Sequence, residues 1–87
     1  MIKLELLGGV KKAVGKSSVI LEEASLPIYE ILTLLRSNVK EPGVLNPNNI
    51  LIAVNGVESS SLDGTDTVVE SGDTVTIVTV AHGWVAR

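Results

Sequence analysis

The sequence predicts an α+β fold: a mixed sheet of four to five strands with one main helix packed on one face. Three observations carry that prediction. Ile2, Leu4 and Leu6 alternate with Lys3 and Glu5, the period-two pattern of a strand with one buried and one solvated side. Ile28, Ile31, Leu32 and Leu35 recur at helical spacing, with Glu30 and Arg36 elsewhere on the surface. Thr74 to Val80 is dominated by Val, Ile and Thr, residues whose branched side chains suit a pleated surface.

The first strand is Ile2 to Leu7, and Gly8 and Gly9 end it. A basic loop through Lys11, Lys12 and Gly15 turns the chain into a second strand, Ser17 to Glu22, so the two form a hairpin with a loop longer than the tightest kind. Ser25 and Pro27 open the helix, since a proline in the first turn lacks an N–H that would have no intrahelical partner there. The helix is predicted from about Pro27 to Val39; at ~1.5 Å per residue it spans ~18 Å, a match for a six-residue strand of ~20 Å. Lys40 to Asn49 holds two prolines, a glycine and three asparagines and is predicted to be loop. Ile50 to Val54 is an unbroken apolar run, predicted to be a strand buried more deeply than the first two. Asn55-Gly56 supplies the positive φ angles of a tight hairpin turn. Leu62-Asp63-Gly64 is a second turn signal, Thr67 to Glu70 is a short strand or a single turn, and Ser71-Gly72-Asp73 leads into the last strand.

A right-handed crossover through the helix sets the Ile50 strand at an edge and pairs the last strand in parallel with the first, at the centre of the sheet. That is the β-grasp topology. Its 87 residues suffice for one core. Neither repeats nor a domain linker appear. The expected division is a β-grasp domain over residues 1–80 and a flexible C-terminal tail over 81–87.

Composition excludes several functions. With 45% hydrophobic and 20% charged residues the chain has the make-up of a folded domain. Without cysteine it has no disulfide, thiolate metal site or cysteine nucleophile. A net charge of -3 with scattered basic residues gives no footprint for nucleic acid. The alternating N-terminus is neither a signal peptide nor a membrane span, and a cytoplasmic location is expected.

The candidate chemistry is sparse. Val10 to Ser17, VKKAVGKS, ends like a phosphate-cradling G-x-x-x-x-G-K-[ST] loop but has Val10 in place of the first glycine, and VIL after it argues strand rather than helix. A basic hairpin loop is the plainer reading. His82 has no cysteine partner, and Asp63, Asp66 and Asp73 sit beside turn-forming residues, where aspartate more readily bonds local backbone than a metal. Neither a metal nor a cofactor is expected, and the chain is not expected to be an enzyme.

The C-terminal end is more specific. Gly72 to Gly83 reads GDTVTIVTVAHG, preceded by ILIAVNGVE and by a K-A-V-G segment after the first strand. In their order and spacing, across nearly the whole chain, these motifs resemble the MoaD/ThiS sulfur carriers, ubiquitin-like β-grasp proteins without an active site of their own. The resemblance implies an E1-like enzyme that adenylates a terminal glycine, a sulfur donor that converts it to a thiocarboxylate, and delivery of that sulfur in molybdopterin biosynthesis, or in a thiamine- or tRNA-type pathway. The implied partners are that E1-like enzyme and the molybdopterin-synthase large subunit or another sulfur acceptor. Aligned from Gly72 and Asp73, Gly83 falls on the family's penultimate glycine and Trp84 on its terminal one, and Thr79 and Val80 occupy the region where the family usually has a proline. The resemblance makes Gly83 the thiocarboxylate and adenylation position only if Trp84 to Arg87 are removed, with Val78, Val80, Ala81, His82 and Trp84 forming the tail and partner surface. Three alternatives stay open: a trimmed precursor, a degenerate carrier or modifier retained for binding, and a tail fitted to a different partner.

Overall fold

The alternation at the N-terminus builds β1 (Ile2–Leu7), in which Ile2, Leu4 and Leu6 are wholly buried. It is seen in a computed structural model that describes residues 1–80; residues 81–87 lie outside the described residues. The chain then departs from the expected hairpin loop. Gly8 turns it at φ +62°, and Gly8–Val14 form a short helix, α1. Val10 is fully buried and Val14 packs against the core from the same side, the i, i+4 spacing of a helix, while Lys11 and Lys12 are exposed. The pair Gly8-Gly9 hid this short pattern. Gly15 ends α1 in the left-handed region, its N–H donating to the Lys11 carbonyl at 2.8 Å. The G-K-S of VKKAVGKS therefore follows a helix C-terminus, whereas a phosphate loop needs its lysine and serine to open a helix.

Next comes β2 (Ser18–Leu21), shorter than expected, then β3 (Ser25–Pro27) and the main helix α2 (Ile28–Arg36). Pro27 belongs to a strand rather than to the helix because β3 pairs antiparallel with β6 (Val68–Glu70), Pro27 opposite Val68. Thr67 to Glu70 is thus resolved in favour of a strand. The helix stops before Val39 because Ser37 Oγ and Asn38 Nδ2 both donate to the Leu34 carbonyl, at 2.7 and 3.0 Å, so side chains take over a carbonyl at the helix end. Two 3₁₀ turns, Pro42–Leu45 and Pro47–Asn49, begin at the two prolines of the expected loop, and Leu45 plugs the core.

The Asn55-Gly56 turn, with φ 51° and 85°, joins β4 (Ile50–Val54) to a two-residue β5 (Val57–Glu58). The last strand is β7 (Thr74–Thr79). The sheet order is β2-β1-β7-β4-β5; β1 and β7 run parallel at the centre and the other neighbours are antiparallel. Two expectations for β4 change. It lies one place in from the edge, because β5 flanks it. It is also no more buried than β1: Ile50, Ile52 and Val54 face the core, but Leu51 is 38% exposed. The unbroken run ILIAV arises because the outward positions Leu51 and Ala53 are apolar too.

Ile28, Ile31, Leu32 and Leu35 of α2 pack against the inward residues of β1, β4 and β7, with Val10 and Leu45 closing one margin and Leu26 and Val69 the other. Among the described residues no helix covers the sheet's second face. This is the ubiquitin-like β-grasp arrangement.

Candidate functional site

Because no helix among the described residues covers one sheet face, outward-pointing side chains on the central strands decide what that face presents. The register sets Leu7 beside Val78 and Val78 beside Leu51. Leu7 is 48% exposed, Leu51 38%, and Val78 is half-buried between them. Ala53, opposite Thr76, continues this apolar band by one row. Cross-strand neighbours on one face lie ~4.5–5.5 Å apart, so the row is contiguous.

The band sits at the end of β7 that leads into residues 81–87, and this end is tied from two sides. Gly9 N–H donates to Thr79 Oγ1 at 2.7 Å, and Val80 N–H donates to the Asn49 carbonyl at 2.9 Å. The first contact needs glycine. A Cβ on Gly8 would stand 2.8 Å from Thr79 Oγ1, and one on Gly9 would stand 3.0 Å from it, so α1 docks on the strand end only without side chains at its start. Beside this junction Lys12, Lys40 and Glu41 border an open depression of about 730 Å³ between α1 and the segment after α2. Lys11, Lys12 and Lys16 are exposed. Among the described residues the ion pair is elsewhere, between Lys3 and Glu5 at 3.5 Å on the open face.

At the other end of β7, Asp73 accepts from the backbone N–H of Glu70 at 2.8 Å and from Asn55 Nδ2 at 2.9 Å. These bonds hold its carboxyl below the usual aspartate range, the Glu70 N–H contributing most. Asn55 Oδ1 accepts from Thr74 N–H at 2.9 Å, so the Asn55-Gly56 turn is stitched to the start of β7. Asp73 is engaged in turn structure. Among the described residues no group of three or more His, Cys, Asp or Glu is placed to hold a metal ion, and no helix is long and apolar enough to cross a membrane.

Of the partner-surface residues expected from sequence, Val78 stands in the apolar band and Val80 is half-buried at its margin. Ala81, His82, Gly83 and Trp84 lie outside the described residues. Sequence reasoning missed Leu7 and Leu51. Both were legible as breaks in alternation: Leu7 adds a second consecutive leucine after Leu6, and Leu51 fills the outward position inside ILIAV.

The ThiS family model matches residues 4–83, from the first strand through Gly83. The chain belongs to the ThiS family. Proteins of this family are ubiquitin-like sulfur carriers rather than catalysts, and the fold agrees. The small archaeal modifier protein 1 of Methanosarcina acetivorans superposes with a TM-score of 0.75 at 18% identity, over 94% of each chain. The Amycolatopsis orientalis BexX/CysO complex contains a chain with a TM-score of 0.72 at 21% identity, covering 95% of this chain and 99% of that one. A putative molybdopterin converting factor subunit 1 from Pyrococcus furiosus gives 0.68 at 15% identity, over 92% and 97%. At such identities these similarities establish the β-grasp fold alone. No curated protein sequence matches.

Proposed function

We infer that this ThiS-family chain carries sulfur as a thiocarboxylate on Gly83, made available by hydrolysis of the Gly83–Trp84 peptide bond. The observation that carries the reading is the extent of the family match, which runs to Gly83 and stops before Trp84. The Gly83 carboxylate oxygen attacks the α-phosphorus of ATP on an E1-like enzyme, pyrophosphate leaves, and an acyl-adenylate results. A hydrosulfide equivalent then attacks the acyl carbon, AMP departs with the former carboxylate oxygen, and the thiocarboxylate remains. The acceptor is the molybdopterin-synthase large subunit or another sulfur acceptor, a choice supported by the molybdopterin converting factor among the structural neighbours. The setting is the cytoplasm, and residues 81–83 of the shortened chain link the 1–80 domain to the reacting carboxylate.

The anchored strand end constrains the partner. Gly83 is the third residue after Val80, and an extended chain spans at most ~3.6 Å per residue, so the reacting carboxylate reaches roughly 11 Å from the sheet. An activating enzyme must therefore sit directly on the sheet end. The band of Leu7, Leu51 and Val78, with Val80 beside it, is the apolar surface available there, and Ala81 and His82 bridge to the reacting residue. Such closeness brings the carboxylate to ATP without a long mobile tether.

The test compares the chain ending at Gly83 with the chain as written, each incubated with a cognate E1-like enzyme, ATP and sulfide. Intact mass spectrometry is expected to find the increase of one oxygen-to-sulfur exchange in the shortened chain and none in the longer one. Absence of the change from the shortened chain overturns the carrier reading. A second reading, a binding module or modifier without sulfur chemistry, is favoured by Trp84 standing where the family ends in glycine. A stable partner complex that survives removal of Trp84 to Arg87, with no adenylation, is its signature.

A further inference from the structure

The far edge of the sheet carries a separate signal. Among the described residues strand β2 is outermost and pairs only with β1. Leu6 N–H donates to the Ser17 carbonyl at 2.9 Å, which makes Leu6 and Ser17 a hydrogen-bonded pair. Such pairs alternate along an antiparallel ladder, so Val19 and Leu21 turn their backbone groups toward β1, and Ser18 and Ile20 turn theirs outward. The outward side chain of Ile20 is 48% exposed on the bare face. Neither a proline nor a bulge blunts this edge, although open edges are normally protected in such ways. The opposite edge, β5, has only two residues and offers little to pair with.

What flanks the edge is charged with opposite sign at its two ends: Lys16 before the strand, Glu22 and Glu23 after it. An antiparallel copy of the same edge presents that pattern reversed. We propose that the chain forms a two-fold dimer by pairing β2 with β2 of a second copy, Val19 lying on the axis. In this register Ser18 meets the second copy's Ile20 and Lys16 meets its Glu22, each twice by symmetry. The outward backbone groups of Ser18 and Ile20 find partners, and the two Ile20 side chains become diagonal neighbours on the open face. Sliding by one residue would oppose backbone groups already bonded to β1. A slide of two sets Lys16 against Ile20, or Glu22 against Ser18, and loses the matched charges. The result is a continuous ten-stranded sheet with the two β7 ends pointing in opposite directions. The proposal does not depend on the carrier reading, since β1 separates β2 from β7.

Sedimentation equilibrium over a concentration series, on the whole chain and four variants, tests it. The unsubstituted chain is expected to shift from monomer to dimer as concentration rises. Lys16→Glu and Glu22→Lys each turn both matched pairs into like-charge pairs and should raise the dimer dissociation constant about tenfold. The double variant K16E/E22K re-forms both pairs with the signs exchanged and should regain the original value. Ile20→Pro removes an outward N–H that β1 does not use, and should give a monomer with unchanged circular dichroism. Should that proline unfold the domain, the charge exchange decides. A chain that stays monomeric at the highest concentration, a double variant as weak as the singles, or a folded Ile20→Pro protein that dimerises normally would overturn the proposal.

Discussion

Asp73 illustrates how much a single half-buried surface side chain organises. Its two oxygens join the Asn55-Gly56 turn to the 70–73 turn, and both bonds favour the ionised form. Because its folded pKa lies below the unfolded value of ~3.9, its contribution is fully present above that value and is lost as pH falls through the lower, folded one. Asp73→Ala should therefore lower the melting temperature by a few degrees at neutral pH. In thermal melts taken down the acid range, the gap between variant and parent should narrow below about pH 4; a gap independent of pH would contradict this role. The sequence identified Asp73 as a turn residue through its neighbour Gly72, but its bond to Asn55, eighteen positions away, required the fold.

Among the elements that sequence reasoning missed, α1 matters most for the site. Its anchoring of β7 rests on Gly8 and Gly9 meeting Thr79. Gly8→Ala would place a Cβ 2.8 Å from Thr79 Oγ1 at a φ of +62°, and should cost roughly 2 kcal/mol or more in chemical denaturation. A variant as stable as the parent would refute the close approach. Two glycines after a strand read as a turn because glycine is the usual residue where φ becomes positive. They also permit close approach of a strand seventy residues away in sequence, and that demand is invisible without tertiary contact. In contrast, β1, β7 and the body of α2 were legible, since each buries one face and so imposes its own period on the sequence, and β4 was legible as a short apolar run bounded by turn residues.

For the whole molecule, the asymmetry between a helix-covered face and a bare one is what matters. Leu51→Arg and Val78→Arg alter the bare face and leave the core residues in place, so unfolding free energies should change by about 0.5 kcal/mol or less. If this face seats the activating enzyme, kcat/KM for adenylation of the chain ending at Gly83 should fall at least about tenfold, since a few buried apolar contacts dominate such interfaces. Unchanged kinetics in both variants would remove the apolar band from the site.

The sequence by itself determined the order of β1, β2, α2, β4 and β7, the parallel central pair, the Asn55-Gly56 hairpin and the family, because periodicity and turn chemistry are local and the family's motifs are linear. Only the tertiary structure decided that β4 is flanked, that Gly8 to Val14 is helical, and that Leu7, Val78 and Leu51 stand side by side. Those facts depend on register between strands far apart in the chain, and register is fixed when the hydrophobic faces of all the strands are satisfied together.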